Sequence, residues 1–180
     1  MSHGLCVLTG RAGEGKTAVA VEAAHFLRQR HAFAHGTYLI DLVGISQIRE
    51  MLRVVSAALQ LATPATRSSE LVRQLATFRR CLIVLDRCDC ALTHAPKQFT
   101  WLLATILRES HVSVLLVARA PLPADAHTVI GADTSIGTVH LGRLSDAHAA
   151  VLAMAAARAL GRQLRRADAR ELGARGTRAG

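Results

Sequence analysis

A chain of 180 residues has room for one domain and little more, and 51% hydrophobic residues are enough for a core, which excludes disorder along the whole sequence. No apolar run approaches the roughly 20 residues that cross a bilayer, so a membrane-spanning protein is not expected. The net charge of +9 is uneven, because residues 158–180 carry seven Arg against two acidic residues, a net of +5, and leave +4 for the rest.

Short apolar runs alternate with longer amphipathic stretches along the chain. The apolar runs are nearly continuous, as in strands of a parallel sheet covered on both faces. The amphipathic stretches repeat apolar residues at helical spacing. Strand followed by helix, repeated, predicts an α/β fold. The predicted strands are 5–9, 37–42, 81–86, 112–118 and a weaker 138–141, and the predicted helices are 16–30, 45–59, 71–78, 99–107 and 145 to about 160.

The second half of the sequence contains a predicted loop and a predicted helix N-cap. Pro121, Pro123 and Gly131 predict a loop between the fourth and fifth strands. Ser145 is the expected N-cap of the last helix, because its hydroxyl can accept a first-turn N–H.

The first predicted strand runs into a glycine-rich loop that fits the pattern G-x-x-x-x-G-K-[ST]. Glycines let the loop curl so that successive backbone N–H groups face a triphosphate, and the next helix adds its N-terminus. Lys16 is expected to contact the β and γ oxygens, and the Thr17 hydroxyl to ligate Mg²⁺. The sequence therefore predicts a P-loop for ATP or ADP. Its residues are Gly10, Arg11, Ala12, Gly13, Glu14, Gly15, Lys16 and Thr17, followed by Ala18.

Charged residues end two later predicted strands. Asp86 ends the third, where a carboxylate could hold the magnesium shell opposite Thr17; the alternative is an aspartate that only caps the strand. Arg119 follows the fourth, where a guanidinium could contact a γ-phosphate; the alternative is a solvated arginine. We interpret Lys16, Asp86 and Arg119 as the catalytic group, and Thr17 and Asp86 as the Mg²⁺ ligands.

A zinc site is the competing metal hypothesis. Cys88, Cys90 and His94 lie close together in sequence, and Cys6 or Cys81 could supply a fourth ligand. The C-x-C spacing differs from the usual C-x₂₋₄-C pair, and Cys6 and Cys81 fall within predicted strands. Ordinary buried or loop thiols are therefore favoured. Four cysteines without a secretory leader also favour reduced thiols and a cytoplasmic protein.

The sequence resembles the nucleotide-binding core of STAND-class P-loop NTPases, the NB-ARC-like, AAA+-related switches of immune receptors, apoptotic scaffolds and bacterial regulators. The likeness rests on the P-loop, on residues 36–42 and on the Arg-ended strand 115–119. Residues 85–89 (L-D-R-C-D) also resemble the family's L-D-N-C-E or L-D-D-V-x stretch, and residues 141–145 resemble its L-x-x-L-S. The likeness covers about residues 4–160. It implies a three-layer sandwich whose five parallel strands have the order 5-1-4-3-2.

Two departures from the family pattern qualify this expectation. Arg87 stands where many members carry a second acidic residue, and the nearest following carboxylate is Asp89, so slow hydrolysis is expected. The family's later helical module and winged helix are not found in the sequence. We therefore divide the chain into a nucleotide-binding domain, 1–144, the start of a helical module, 145–160, and a basic tail, 161–180, that is disordered or truncated.

The resemblance implies an ATP/ADP-binding signalling switch with slow Mg²⁺-dependent hydrolysis, whose protein partners or self-association would involve flanking domains. Two other functions stay open: a small P-loop kinase or phosphotransferase, and a nucleotide-binding scaffold without catalysis. The kinase is less favoured, because loop 121–131 contains no Arg to form a lid. Nucleic acid is not a favoured partner, because the six aromatic residues are not interleaved with the arginines.

Overall fold

The computed structural model describes residues 4–149 and 151. These residues form two compact units: residues 4–10 with Gly15–Leu141, and Arg11–Glu14 with the described residues from Gly142 onward. The predicted tail 161–180 and most of the predicted last helix lie outside the described residues. Among the residues that are described, no helix has both the length and the apolarity needed to cross a membrane.

The first unit alternates strands with helices, as the hydrophobic pattern predicts. The strands are β1 (Gly4–Thr9), β2 (Thr37–Asp41), β3 (Cys81–Asp86), β4 (Val112–Val117) and β5 (Ser135–His140), and the helices are α1 (Lys16–Gln29), α2 (Ile48–Ala58), α3 (Ser68–Leu75), α4 (Asp89–His94), α5 (Pro96–Glu109) and α6 (Ala126–Ile130).

The five strands form one parallel sheet in the order β2-β3-β4-β1-β5. The predicted order 5-1-4-3-2 is therefore confirmed, since it is the same order read from the other edge. The central strand β4 pairs Val117 with Leu8 of β1 and Leu116 with Leu85 of β3. Because all the strands run the same way, the segments that follow them leave the sheet at one edge.

Helices cover both faces of the sheet, which confirms the three-layer sandwich. Successive strand residues face opposite sides, and two separate apolar clusters result. Leu8 and Val84 pack against Ala20 of α1 on one face. On the other face, Ile83 packs in a larger cluster with residues of α2, α3, α5 and α6, including the fully buried Phe99.

Three details differ from the sequence-based expectation. The segment after β4 is not all loop, because it contains the short helix α6. Ala126 and Ile130 of α6 are fully buried in the core. The short helix α4 has too few residues to show a clear periodic pattern. β5 begins at Ser135, three residues before the predicted start, because backbone pairing with β1 extends through exposed residues such as Ser135 itself.

The second unit contains the start of the last predicted helix. The Ser145 hydroxyl accepts a hydrogen bond from the His148 backbone N–H at 3.3 Å, and the Ala149 N–H donates to the Ser145 carbonyl at 2.8 Å. Both bonds are those of an N-cap residue. The helix therefore starts where the sequence predicts.

Candidate functional site

Four parallel strands bring the predicted P-loop and three charged residues to one edge of the sheet. Gly10 follows β1, Asp41 ends β2, Asp86 ends β3, and Arg119 follows β4 by two residues. Backbone hydrogen bonds continue the sheet past the strand ends, since the Leu42 N–H donates to the Asp86 carbonyl at 2.9 Å. Open α/β sheets bind ligands at this edge.

Helix α1 begins at the same edge. Gly15 precedes it with φ 84° and ψ 17°, a left-handed conformation that costs a residue with a Cβ roughly 1–2 kcal/mol and glycine almost nothing. Lys16, Thr17 and Ala18 form the first turn, where backbone N–H groups point beyond the helix end and favour an anion. The predicted strand–loop–helix context of Lys16 and Thr17 is therefore present.

The loop segment Arg11–Glu14 belongs to the second unit and is described by itself. Gly13 is left-handed, with φ 82°, and the Glu14 N–H donates to the Arg11 carbonyl at 3.4 Å. The Glu14 carboxylate accepts a hydrogen bond from the Arg11 backbone N–H. Ala12 is exposed in this turn. A loop N–H that the sequence assigns to a triphosphate thus binds an anionic oxygen of the chain itself.

Thr17 and Asp86 are in direct contact. The Thr17 hydroxyl donates to Asp86 Oδ2 at 2.8 Å, although 69 positions separate the two residues. Asp86 is only 4% exposed, and its Oδ1 accepts the Arg87 backbone N–H at 2.9 Å. A hydroxyl and a carboxylate are hard oxygen donors of the kind that Mg²⁺ binds. The two predicted metal ligands therefore fit that ion.

Arg87 pairs with Asp41, a residue that the sequence analysis left out of the site. Arg87 Nε donates to Asp41 Oδ1 at 2.8 Å, and its Nη2 donates to Oδ2. Burial alone would raise the pKa of Asp41, but the hydrogen bonds from Arg87 and from the Val43 N–H, with the guanidinium charge, hold that pKa below its ordinary value. The available sequence clue was an aspartate at the end of the strand next to β3.

Arg119 contacts Asp89. The Arg119 backbone N–H donates to Asp89 Oδ1 at 2.7 Å, while its Nε lies 3.9 Å from Asp89 Oδ2, beyond hydrogen-bond distance. The Arg119 side chain is 67% exposed. Its backbone is therefore fixed at the sheet edge, whereas its guanidinium can reach other positions at little cost.

The cysteines around α4 make separate contacts. Cys88 Sγ donates to the Leu85 carbonyl at 3.3 Å in a buried position, where loss of solvent raises the pKa of the thiol. His94 bonds the Cys90 carbonyl through Nδ1 at 2.9 Å. Burial also raises the pKa of Cys81 to about 12. Within residues 4–149 and 151, no group of three His, Cys, Asp or Glu residues is arranged to hold a metal ion.

No protein-family model matches the sequence. No curated protein is detectably similar to it. Solved structures, in contrast, match the fold. The Walker-type ATPase of Pyrococcus abyssi has a TM-score of 0.65 at 14% identity, over 94% of this chain and 57% of its own.

Two origin recognition complex structures are also similar. Drosophila ORC bound to DNA matches with a TM-score of 0.62 at 20% identity, over 86% of this chain and 41% of its own. Aeropyrum pernix ORC1 in complex with DNA matches with a TM-score of 0.61 at 18% identity, over 99% of this chain and 54% of its own. The chain thus spans 41–57% of the length of these three structures. Its fold is similar to that of these solved structures, an α/β fold of the P-loop ATPase kind.

Proposed function

We propose that the chain binds Mg-ATP and Mg-ADP through its P-loop motif and the adjoining sheet edge, as the nucleotide module of a STAND or NB-ARC-like signalling switch. The observation that carries the proposal is the 2.8 Å hydrogen bond between Thr17 and Asp86. Thr17 and Asp86 are predicted as magnesium ligands from two different sequence motifs. Their contact supports a single magnesium site that both residues could share.

The residues around this contact suit a nucleotide phosphate chain. Thr17 Oγ1 and Asp86 Oδ2 would hold Mg²⁺, which when bound neutralises charge on the β and γ phosphates. Lys16 adds a fixed positive charge at the start of α1, and the helix N-terminus adds partial positive charge. The first turn of α1 itself contains no acidic residue, so the helix start carries no negative side chain of its own.

A switch fits this site better than a fast enzyme. The residue after Asp86 is Arg87, which is engaged with Asp41, so hydrolysis should be well below the roughly 10 per second typical of enzymes. Arg119 is the residue we propose to report the γ-phosphate. Within the described part of the chain, the one ion-pair approach that its exposed guanidinium would give up is the 3.9 Å approach to Asp89.

Partners are proposed to be proteins, reached partly through segments that flank this chain. The proposal is supported by the coverage of the matching structures, since this chain covers at most 57% of the length of the three compared above. Phe26, Leu39 and Trp101 are each at least 50% exposed, and such large apolar side chains suit contacts with protein. DNA is present in two of the matching structures, but the described residues offer no row of stacking aromatics for it.

A kinase would need a mobile lid over the acceptor. The segment between β4 and β5 instead packs α6 into the core, with Ala126 and Ile130 both 0% exposed. This observation disfavours the kinase alternative. The scaffold alternative differs from the switch in one measurable respect, which is nucleotide binding without any release of phosphate.

Isothermal titration calorimetry with Mg-ATP and Mg-ADP tests the proposal. Thr17→Val keeps the side-chain shape but removes the hydroxyl, whereas Thr17→Ser retains it. The first variant should bind both nucleotides about tenfold more weakly, since a contact to a charged group contributes roughly 1.5–3 kcal/mol, and the second should stay near wild type. Chelating Mg²⁺ should abolish the difference. Absence of nucleotide binding by the wild-type chain would refute the proposal.

A further inference from the structure

Asp41 and Asp86 are neighbours across two parallel strands. The register pairs their Cα positions directly, as the last pair of the β2–β3 ladder. Neighbouring strands lie about 4.8 Å apart, and paired residues of parallel strands point to the same face. Asp41 is thus the carboxylate placed beside the proposed magnesium ligand by the sheet itself. It is also accessible to water, with its side chain 45% exposed.

Arg87 fixes the orientation of Asp41. Its backbone is left-handed, with φ 58°, which turns the side chain back from the end of β3 toward β2. Its backbone N–H holds Asp86 Oδ1 while its guanidinium holds Asp41, so one residue couples the two carboxylates. The hydrogen bond to Asp41 and the charges of Asp41 and Asp86 raise the pKa of Arg87 above its ordinary value.

The hydrogen bonds to Asp41 leave acceptor capacity for a water molecule. Oδ1 accepts from the Val43 N–H at 3.0 Å and from Arg87 Nε at 2.8 Å. Oδ2 accepts from Arg87 Nη2. An ionised carboxylate has about four acceptor sites, and these three bonds leave one on Oδ2. That site belongs to an oxygen whose position the guanidinium already fixes.

Asp89 is the rival carboxylate. Its Oδ1 accepts the Arg119 backbone N–H at 2.7 Å, which ties it to the end of β4. No strand pairing aligns it with Asp86, because it lies three residues further along the chain, in the first turn of α4. Arg87 does not bridge it to Asp86 among the described hydrogen bonds. Asp41 is both paired with Asp86 in the strand register and bridged to it by Arg87, and Asp89 is neither.

We propose that Asp41, positioned by Arg87, orients the water that attacks the γ-phosphate, in place of the acidic residue that is missing after Asp86. The inference rests on the proposed nucleotide function. The water oxygen forms a bond to the γ-phosphorus, and the bond from that phosphorus to the bridging oxygen breaks. ADP leaves with the electron pair, and one water proton moves to a phosphate oxygen, which yields dihydrogen phosphate. Asp41 accepts a hydrogen bond from the water and does not need to remove its proton.

The test separates orientation of water from nucleotide binding. Asp41→Asn keeps an oxygen that can accept the Val43 N–H but loses the carboxylate. Its affinity for the β,γ-imido analogue of ATP should stay within about twofold of wild type. Its single-turnover phosphate release should fall by roughly 100-fold, the lower range for loss of a positioned acid–base group. Its affinity for ADP with aluminium fluoride, a transition-state analogue, should fall by about tenfold or more.

Variants of Arg87 test the positioning role. Arg87→Asn suits the left-handed backbone but lacks the guanidinium, so it should lose part of the phosphate release and of the fluoride-complex affinity. Arg87→Lys should recover part of both, because the ammonium can still pair with Asp41. Glu109→Gln, at the opposite end of the sheet, is the matched control and should change neither quantity.

Several results would overturn the proposal. One is an Asp41→Asn variant that releases phosphate and binds the fluoride complex as well as the wild-type protein does. Another is an Asp89→Asn variant that shows the losses expected for Asp41→Asn. Absence of phosphate release from the wild-type chain would do the same, since no water would then be activated. Failure of the nucleotide proposal would look different, because wild-type protein would bind neither ADP nor the imido analogue.

Discussion

The Thr17 hydroxyl and Asp86 Oδ2 lie 2.8 Å apart, so the residue that ends the P-loop motif and the carboxylate that ends β3 share a hydrogen bond. The bond joins the start of α1 to the end of β3, which lies two positions from β1, the strand that precedes α1, in the sheet. Both elements are anchored by buried apolar residues, Ala20 and Leu85 among them. The predicted ligands are therefore brought together by rigid parts of the fold.

Lys16→Ala should weaken ATP binding by about tenfold or more, because a charge-assisted contact to phosphate contributes roughly 1.5–3 kcal/mol. Calorimetry with Mg-ATP measures the effect. Lys97→Ala is a matched control, since Lys97 is the other lysine of the chain and lies in α5. Equal affinities for the Lys16 variant and the control would remove this lysine from the site.

Glu14→Gln should strengthen ATP binding by roughly threefold. The Glu14 carboxylate bonds the Arg11 backbone N–H, and it would compete with a phosphate oxygen for that donor and repel its charge. The amide is a weaker acceptor without charge. The same titration with Glu22→Gln, an exposed acidic residue of α1, provides the control. An affinity below that of wild type would show that Glu14 supports the loop instead.

Arg119→Ala should weaken ATP binding and leave ADP binding nearly unchanged, because the γ-phosphate is the group that distinguishes the two. A roughly tenfold loss for ATP is expected from one charge-assisted contact. The fold should be retained, since the side chain is 67% exposed. Arg108→Ala controls for a loss of positive charge elsewhere. Equal effects on ATP and ADP would leave Arg119 with a structural role only.

Multiple-turnover phosphate release by wild-type protein with saturating Mg-ATP should stay well under the roughly 10 per second typical of enzymes. The physical reason is that Arg87 stands where a second acidic residue could follow Asp86, and that Asp41, the carboxylate proposed to orient the water, does not take its proton. A typical enzymatic rate without any partner protein would contradict the switch and favour a dedicated enzyme.

Glu70→Gln should destabilise α3 at neutral pH. The Thr66 backbone N–H, the Thr66 hydroxyl and the Arg67 N–H donate to the Glu70 carboxylate and lower its pKa from 4.5. A lowered folded-state pKa stabilises the fold above the unfolded value, and the gain disappears as the pH falls through the folded value. Urea unfolding at pH 7 and pH 3 should show a difference between variant and wild type that shrinks at the lower pH.

The α/β pattern and the P-loop were readable from the sequence because both are local. Apolar runs such as the one ending at Asp86 predict strands, and the glycines before Lys16 predict a phosphate loop from their own spacing alone. The strand order followed from the resemblance and is confirmed by the pairing. The short helix α6 was missed because its two buried residues, Ala126 and Ile130, are too few to define a period.

The sequence by itself determined which residues are predicted to carry phosphate and magnesium chemistry, since Lys16, Thr17 and Asp86 are picked out by residue type at fixed positions in strand–loop–helix patterns. Only the tertiary structure decided the pairing of Arg87 with Asp41 and the placement of Asp89 against Arg119. Those partners lie 46 and 30 residues apart. Their contact depends on strand register and on the turn each chain segment makes at the sheet edge, which are set by packing across the whole sheet and leave no local trace in the sequence.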